Sequence, residues 1–267
     1  MASRSQLPGL DAAEREQARG SPAPTHARLM KAVLSREAFS DPEWLFERKL
    51  DGIRCLSIRD GGTPRMLSRN DLDLAARYPE IRDALAEQSR QRFAVDGETV
   101  AFDRGQTSFA RLAQRGHRRV AVFYYVFDVP WLDGFNVRTL SLRARKRLLR
   151  DTLSTGGRLR LSTHRNSAGE AMFDHACRQS WEGVVAKRAD GPYRQTRSRD
   201  SGCGPCAGRP PRSQRGTWSA NRASPGSPPQ LVAQVAFTEW TTAGRLRHPR
   251  YLGLREDKAA EQVVREA

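Results

Sequence analysis

The chain has 267 residues, enough to bury a sizeable core in one large or two small domains. Lys and Arg number 46 against 30 Asp and Glu, a formal charge of +16 that favours a polyanionic partner such as nucleic acid. No apolar run is long enough to span a bilayer, so no membrane partner is expected; residues 1–25 lack the apolar segment of a signal peptide, and four scattered cysteines point to a reducing cytoplasm rather than a disulfide scaffold.

Residues 1–27 are polar and punctuated by Pro and Gly, and read as a flexible leader. Met30 to Phe39 reads as a short helix or an extended arm. Trp44-Leu45-Phe46 and the apolar stretch Ile53 to Ile58 flank Asp51-Gly52, which predicts a strand, a tight turn and a second strand. Lys49 is thereby held on rigid scaffold, with Glu47, Asp51 and Arg54 close in sequence. A lysine attacks phosphorus when its surroundings lower its pKa, and Arg54 with a bound cation would do so. The bland reading of the same residues is a hairpin with solvated charges.

Arg65-Met66-Leu67 predicts a strand, and Tyr78-Pro79-Glu80 opens a helix with Ile81 and Leu85 on one face. Phe93 and Val95 alternate into Asp96-Gly97, then Val100 and Phe102 follow, which predicts a strand pair with Glu98 at its bend. Val120 to Phe127 predicts a buried strand. Leu142, Leu148, Leu149 and Leu153 mark an arginine-rich helix, whose Arg143 to Arg150 segment is a candidate DNA-phosphate surface. Ser167-x-x-Glu170 reads as a capping box opening a helix to about Arg178, and Val184-Val185 as a further buried strand. Strands dominate without regular strand–helix alternation, so the expected class is α+β with antiparallel sheets. From Ser201 to Gln230 apolar periodicity disappears and a disordered linker is expected; it returns at Leu231, with short strands and a closing helix from about Asp257.

Taken together, six stretches resemble the motifs of the covalent nucleotidyltransferases, most specifically the bacterial ATP-dependent DNA ligases and the ligase module of end-joining proteins. Glu47-x-Lys49-x-Asp51-Gly52-x-Arg54 is similar to motif I, Ser68-Arg69-Asn70 to motif Ia, and Phe93 to Glu98 to motif III. Tyr125 to Asp128 with Leu132-Asp133-Gly134 is similar to motif IIIa, Glu182 to Lys187 to motif IV, and Arg255-Glu256-Asp257-Lys258 to motif VI. The resemblance implies an ATP-grasp-like adenylation domain over 28–200, then the 201–230 linker, then a C-terminal OB-fold domain over 231–267. An OB-fold needs five strands of ~5–6 residues, so that segment is expected to be an incomplete remnant.

The chemistry implied by the resemblance is nick sealing in duplex DNA in three steps. Lys49 takes AMP from ATP, the AMP passes to a 5′-phosphate, and a 3′-hydroxyl displaces it. Each is in-line displacement at phosphorus, where positioning and charge stabilisation do the catalysis. Glu98 and Glu182 are candidate ligands for Mg²⁺ or Mn²⁺. Arg54 and Arg69 are candidate phosphate or ribose clamps, and Phe127 a face for adenine. Glu47 is placed to accept from the adenine amine, and Lys187 to lie near the α-phosphate. Arg255 and Lys258 are placed to approach the pyrophosphate. Phe127 as plain core, Glu98 as turn chemistry, and Arg255 and Lys258 as helix caps or DNA contacts are the bland alternatives. The implied partners are ATP, nicked or broken duplex DNA and end-joining proteins, for a monomer in the nucleoid-associated cytoplasm of a bacterium.

Motif V departs from the family pattern. That strand normally carries two lysines flanking an apolar residue, yet no lysine occurs between Lys187 and Lys258. Arginines 194, 197 and 199 replace the charge without the geometry. Loss and return of family-like sequence resembles a frameshift or deletion scar. The competing functions are an RNA ligase, a GTP-using capping-type enzyme, and a non-catalytic basic DNA-binding remnant; Glu47 two residues before the lysine favours adenine.

Overall fold

The computed structural model describes residues 7–35, 37–205, 216–220, 231–236 and 250–254. The chain opens with α1 (Ala12–Gln17), β1 (Arg19–Gly20), β2 (Lys31–Leu34), β3 (Trp44–Lys49), β4 (Ile53–Asp60), β5 (Arg65–Ser68) and α2 (Pro79–Ala86). It continues through β6 (Arg92–Asp103), β7 (Gln106–Thr107), α3 (Phe109–Ala113), β8 (Val122–Leu132), β9 (Phe135–Asn136) and α4 (Leu142–Thr152). Then follow β10 (Leu159–Leu161), β11 (His164–Asn166), α5 (Gly169–Arg178), β12 (Gly183–Arg188), β13 (Arg197–Pro205), β14 (Gly216–Ala220), β15 (Leu231–Ala236) and β16 (Arg250–Leu254).

Two mainly antiparallel sheets hold the first part of the chain. One runs β1-β9-β8-β6-β4-β5, with β10 parallel to β8 and β7 on β6; the other runs β11-β3-β12-β13-β2. The α+β class expected from the pattern is the one found. The main core lies between the first sheet and α2, α3 and α4, where Ile81, Leu85, Leu112, Leu148, Phe93 and Tyr124 are buried. A second core forms where α5 lays Met172 and Ala176 against Phe46, Val184 and Ala186 of the other sheet. Strands β14, β15 and β16 make a separate antiparallel sheet.

Several local expectations are corrected. Residues 7–27 are built into the fold: Asp11 and Glu14 form a capping box on α1, Leu7, Leu10 and Ala18 are buried, and β1 pairs with β9. Three apolar residues suffice to dock an otherwise polar segment, and the Arg147 guanidinium fastens it by donating to Glu14 at 2.6 Å. Of the two readings of Met30 to Phe39, the extended arm holds and the helix does not, since the segment contains strand β2. β3 and β4 are not a hairpin, since they lie in different sheets. Asp51-Gly52 is the crossing point. A Cβ on Gly52 would stand 2.1 Å from the Thr99 carbonyl oxygen, so only glycine fits the passage.

Likewise Phe93 to Phe102 does not bend at Glu98 but belongs to one strand, β6, of 12 residues. Gly97 lets β8 close in, because a Cβ there would lie 2.6 Å from the Tyr124 ring. The capping box at Ser167 does not form: Ser167 has φ 63°, Ala168 takes the N-cap position, and the Glu170 N–H donates to Ser40 Oγ at 3.1 Å. The expected linker also begins as strand. Ser201 to Pro205 pairs with β12 on one side, and Gly202-Cys203 with β2 on the other. Backbone pairing on both flanks orders this stretch without apolar side chains. Residues 216–220 are strand as well, while residues 206–215 and 221–230 of that linker lie outside the described residues. Cys55 and Cys203 form no disulfide, whereas Cys177 is disulfide-bonded.

Candidate functional site

A cavity of about 270 Å³ lies between the two sheets. Glu47 and Lys49 on β3, Arg54 on β4, Glu98 on β6, Phe127 on β8 and Lys187 on β12 all line it, as does Arg69 from its exposed place after β5. Seven of the sequence-derived site residues thus converge on one cleft. Arg255 and Lys258 lie outside the described residues.

Lys49 is the last residue of β3, just before the crossing, and its Nζ lies 2.6 Å from Glu182 Oε1. The crossing is fixed by Asp51, which is buried: its N–H donates to Thr107 Oγ1 at 3.2 Å and its carboxylate accepts the Phe109 N–H at 2.9 Å. Asp51 therefore ties the lysine-bearing segment to the start of α3. Opposite, Glu98 stands across from Arg54 in the β4–β6 register. Burial pushes the Glu98 carboxyl up to about 8, with Glu182 and Asp51 adding to the rise against Arg54 and Lys49. A divalent cation would reverse that balance.

Arg54 is held by a fork onto Asp96, with Nε at 2.6 Å and Nη2 at 2.7 Å. Asp96 is fully buried and also accepts the Tyr193 hydroxyl at 2.6 Å. Burial opposes the Arg54 charge, but Asp96 outweighs it and keeps the guanidinium charged. Two cations cover Phe127: the Arg54 guanidinium at 4.5 Å and Lys187 Nζ at 4.4 Å from the ring centroid. Lys187 Nζ also donates to Glu47 Oε2 at 3.0 Å, and Ser162 Oγ donates to the same oxygen at 3.3 Å.

Sequence reasoning missed four residues of this site: Asp96 and Tyr193, which set Arg54, and Arg145 and Lys146 on α4. The helix expected to meet DNA turns Arg145 and Lys146 inward and leaves Arg143 and Arg150 exposed. Arg145 forms a buried fork onto Asp128, at 2.8 and 3.1 Å, and Lys146 Nζ lies 2.7 Å from Glu47 Oε1. Arg143 donates to Asn166 at 2.9 Å, and Arg147 to Glu14. The signal was present in the spacing. Positions 142, 145, 146 and 149 form one helical stripe, and cations on an apolar stripe require buried carboxylates.

The wall opposite β12 differs in charge from the family pattern. In the β12–β13 register Ser201 faces Lys187 and Cys203 faces Val185, and both line the cavity. β13 carries no lysine. Arg194 is engaged by Asp200 at 2.8 Å, and the side chains of Arg197 and Arg199 are not among those described.

Comparison with known proteins gives a consistent relationship. Residues 24–201 match the ATP dependent DNA ligase domain, and residues 168–258 the ATP dependent DNA ligase C terminal region. The multifunctional non-homologous end joining protein LigD of Mycobacterium bovis is 30% identical over 288 residues, covering 84% of this chain and 38% of that protein. LigD of Pseudomonas aeruginosa is 36% identical over 165 residues, covering 59% and 19%. The chain therefore spans well under half the length of these relatives. A solved mycobacterial DNA ligase D complexed with ATP superposes with a TM-score of 0.62 at 27% identity, covering 89% of this chain and 98% of that one. The ligase domain of Mycobacterium tuberculosis LigD gives 0.58 at 27%, with the same coverage. With Lys49, its carboxylates and its cation-lined cleft in the family's order, the chain belongs to the ATP-dependent DNA ligases.

Proposed function

We propose that this chain is an ATP-dependent DNA ligase that seals nicks in duplex DNA through lysyl-AMP and DNA–adenylate intermediates. The observation that carries this reading is the meeting of two sets of side chains at one cleft. Glu47, Phe127 and Lys187 suit a base and its first phosphate, and Lys49 and Glu98, with Glu182 paired to Lys49 from outside the lining, suit phosphoryl transfer.

In the first step the Lys49 nitrogen forms a bond to the α-phosphorus of ATP, the bond to the bridging oxygen breaks, and pyrophosphate leaves. The nucleophile must be neutral, so the Lys49–Glu182 pair must open and the ammonium must lose its proton. Arg54, fixed by Asp96 and Tyr193, supplies a preorganised donor fork for a phosphate or ribose oxygen. Arg69 at the rim supplies a second. In the next steps the 5′-phosphate of a nick takes the AMP from Lys49, and the 3′-hydroxyl displaces AMP to close the strand.

Glu98 and Glu182 fit Mg²⁺ or Mn²⁺ as hard oxygen donors, and a bound cation would offset the burial that raises the Glu98 carboxyl. Among the described residues no group of three or more metal-ligating side chains converges, so such an ion would complete its shell with phosphate oxygens and water. When bound it would neutralise charge developing on the phosphates. The end-joining relatives support repair of DNA breaks, with end-joining proteins as partners. In the same reading the chain acts as a monomer in the bacterial cytoplasm, at the nucleoid.

The test is intact-mass spectrometry after incubation with ATP and Mg²⁺. One added AMP is expected on the parent and none on Lys49→Ala. An unaltered AMP gain in Lys49→Ala would refute the assignment, and a GTP-dependent adduct in place of an ATP-dependent one would move the chain to the capping-type enzymes.

A further inference from the structure

Lys146 is a buried cation beside this cleft that the proposed reaction leaves without a task. Its side chain is 6% exposed, and its Nζ lies 2.7 Å from Glu47 Oε1, while Lys187 and Ser162 hold Oε2. The carboxylate is thus gripped from two elements, α4 and β12. Burial alone would raise the Glu47 carboxyl; Lys146 and Lys187 together outweigh it and hold it below the usual carboxylate range. Glu47 Oε1 and Lys146 Nζ are both buried, and each has the other as its ionic partner.

The two lysines are not equivalent. Lys187 lines the cavity and lies over the Phe127 face, where an incoming base would displace it. Lys146 reaches Glu47 from α4 and does not line the cavity, so a ligand in the cleft need not displace it.

We infer that Lys146 is a positioning residue for base selection. By pinning Glu47 Oε1 it keeps the carboxylate anionic and aimed into the cleft, where it selects a purine bearing an exocyclic amine over one without it. This rests on the nucleotide-binding function proposed above. A carboxylate free to turn toward Lys187 alone would lose that selection while the stacking and phosphate contacts remained.

The test compares the affinity of the full chain for ATP and for purine riboside triphosphate, which lacks only the amine. The parent is expected to bind ATP about 10–100-fold tighter, the range for a hydrogen bond to a charged group. Lys146→Met should bring that ratio below about threefold and leave the analogue's affinity intact. Lys146→Arg should retain most of the preference. Glu47→Gln combined with Lys146→Met should lose no more than Glu47→Gln alone, the sign of one shared interaction. An unchanged ratio in Lys146→Met, or an equal loss toward both nucleotides as a packing role would give, overturns the inference. A parent that binds neither nucleotide overturns the proposed function itself, and the inference with it.

Discussion

Replacing Cys203 with lysine should accelerate the first chemical step. β13 runs beside β12 with Ser201 opposite Lys187 and Cys203 opposite Val185, so position 203 shares the cleft-facing side of the wall with Lys187. Directly opposed residues on paired strands have Cβ atoms about 4.5–5.5 Å apart. An ammonium at 203 therefore joins the group of charges around the α-phosphate without moving backbone. One preorganised charge contact of this kind is worth about 2.7–4 kcal/mol in the transition state, or 10²–10³ in rate. The assay is single-turnover formation of protein–AMP from labelled ATP. Cys203→Lys should raise that rate by about two orders of magnitude, and the uncharged Cys203→Met should not. Treating the parent with 2-bromoethylamine, which turns the thiol into a thioether ending in an ammonium, should give a smaller rise that Cys203→Ser abolishes. Sealing of a pre-adenylated nick, which involves no pyrophosphate, should change least in all of these. A rate within threefold of the parent, in a Cys203→Lys chain with the parent's melting temperature, would refute the reasoning.

Arg145→Met should destabilise the fold by about 3–5 kcal/mol in urea titrations, because it leaves Asp128 as a buried uncompensated charge; adding Asp128→Leu should recover much of the loss, and a destabilisation under 1 kcal/mol would count against a shared buried pair. Glu98, pushed up to about 8, keeps in the native chain a proton that the unfolded chain sheds above about pH 4.5. Its contribution is complete below that pH and fades as pH rises through about 8, so the metal-free urea midpoint should fall across this window. Mg²⁺ or Glu98→Gln should flatten the decline, and a Glu98→Gln slope equal to the parent's would exonerate Glu98. Affinity for duplex DNA should drop steeply with salt, and Arg147→Ala should leave the slope of log affinity against log salt unchanged, because Glu14 already neutralises that guanidinium. A slope shallower by about one unit would return α4 to the DNA surface.

The local signals that held were those with a short-range cause. Pro79 at the first turn of α2, with Ile81 and Leu85 buried, follows from backbone geometry and helical period. The run from Val122 to Phe127 could only be an interior strand. Lys49, Glu98, Phe127 and Lys187 were legible as chemistry through their resemblance to the nucleotidyltransferase motifs, and the fold does bring them together. The hairpin around Asp51-Gly52 failed for a non-local reason: the turn is used to leave one sheet for another, and the contact that requires Gly52 is Thr99, far along the chain.

The arginines of α4 mark the same boundary. Composition alone determined that this chain is strongly basic, and the motif resemblance singled out Lys49 as the lysine proposed to carry the nucleotide. Which cations face outward was decided only by tertiary structure, since Asp128 and Glu47 reach Arg145 and Lys146 from other strands. A charge is written in one residue, but its solvation and its partner depend on every element packed around it, so the same guanidinium serves as an interior clamp or a DNA contact according to the fold.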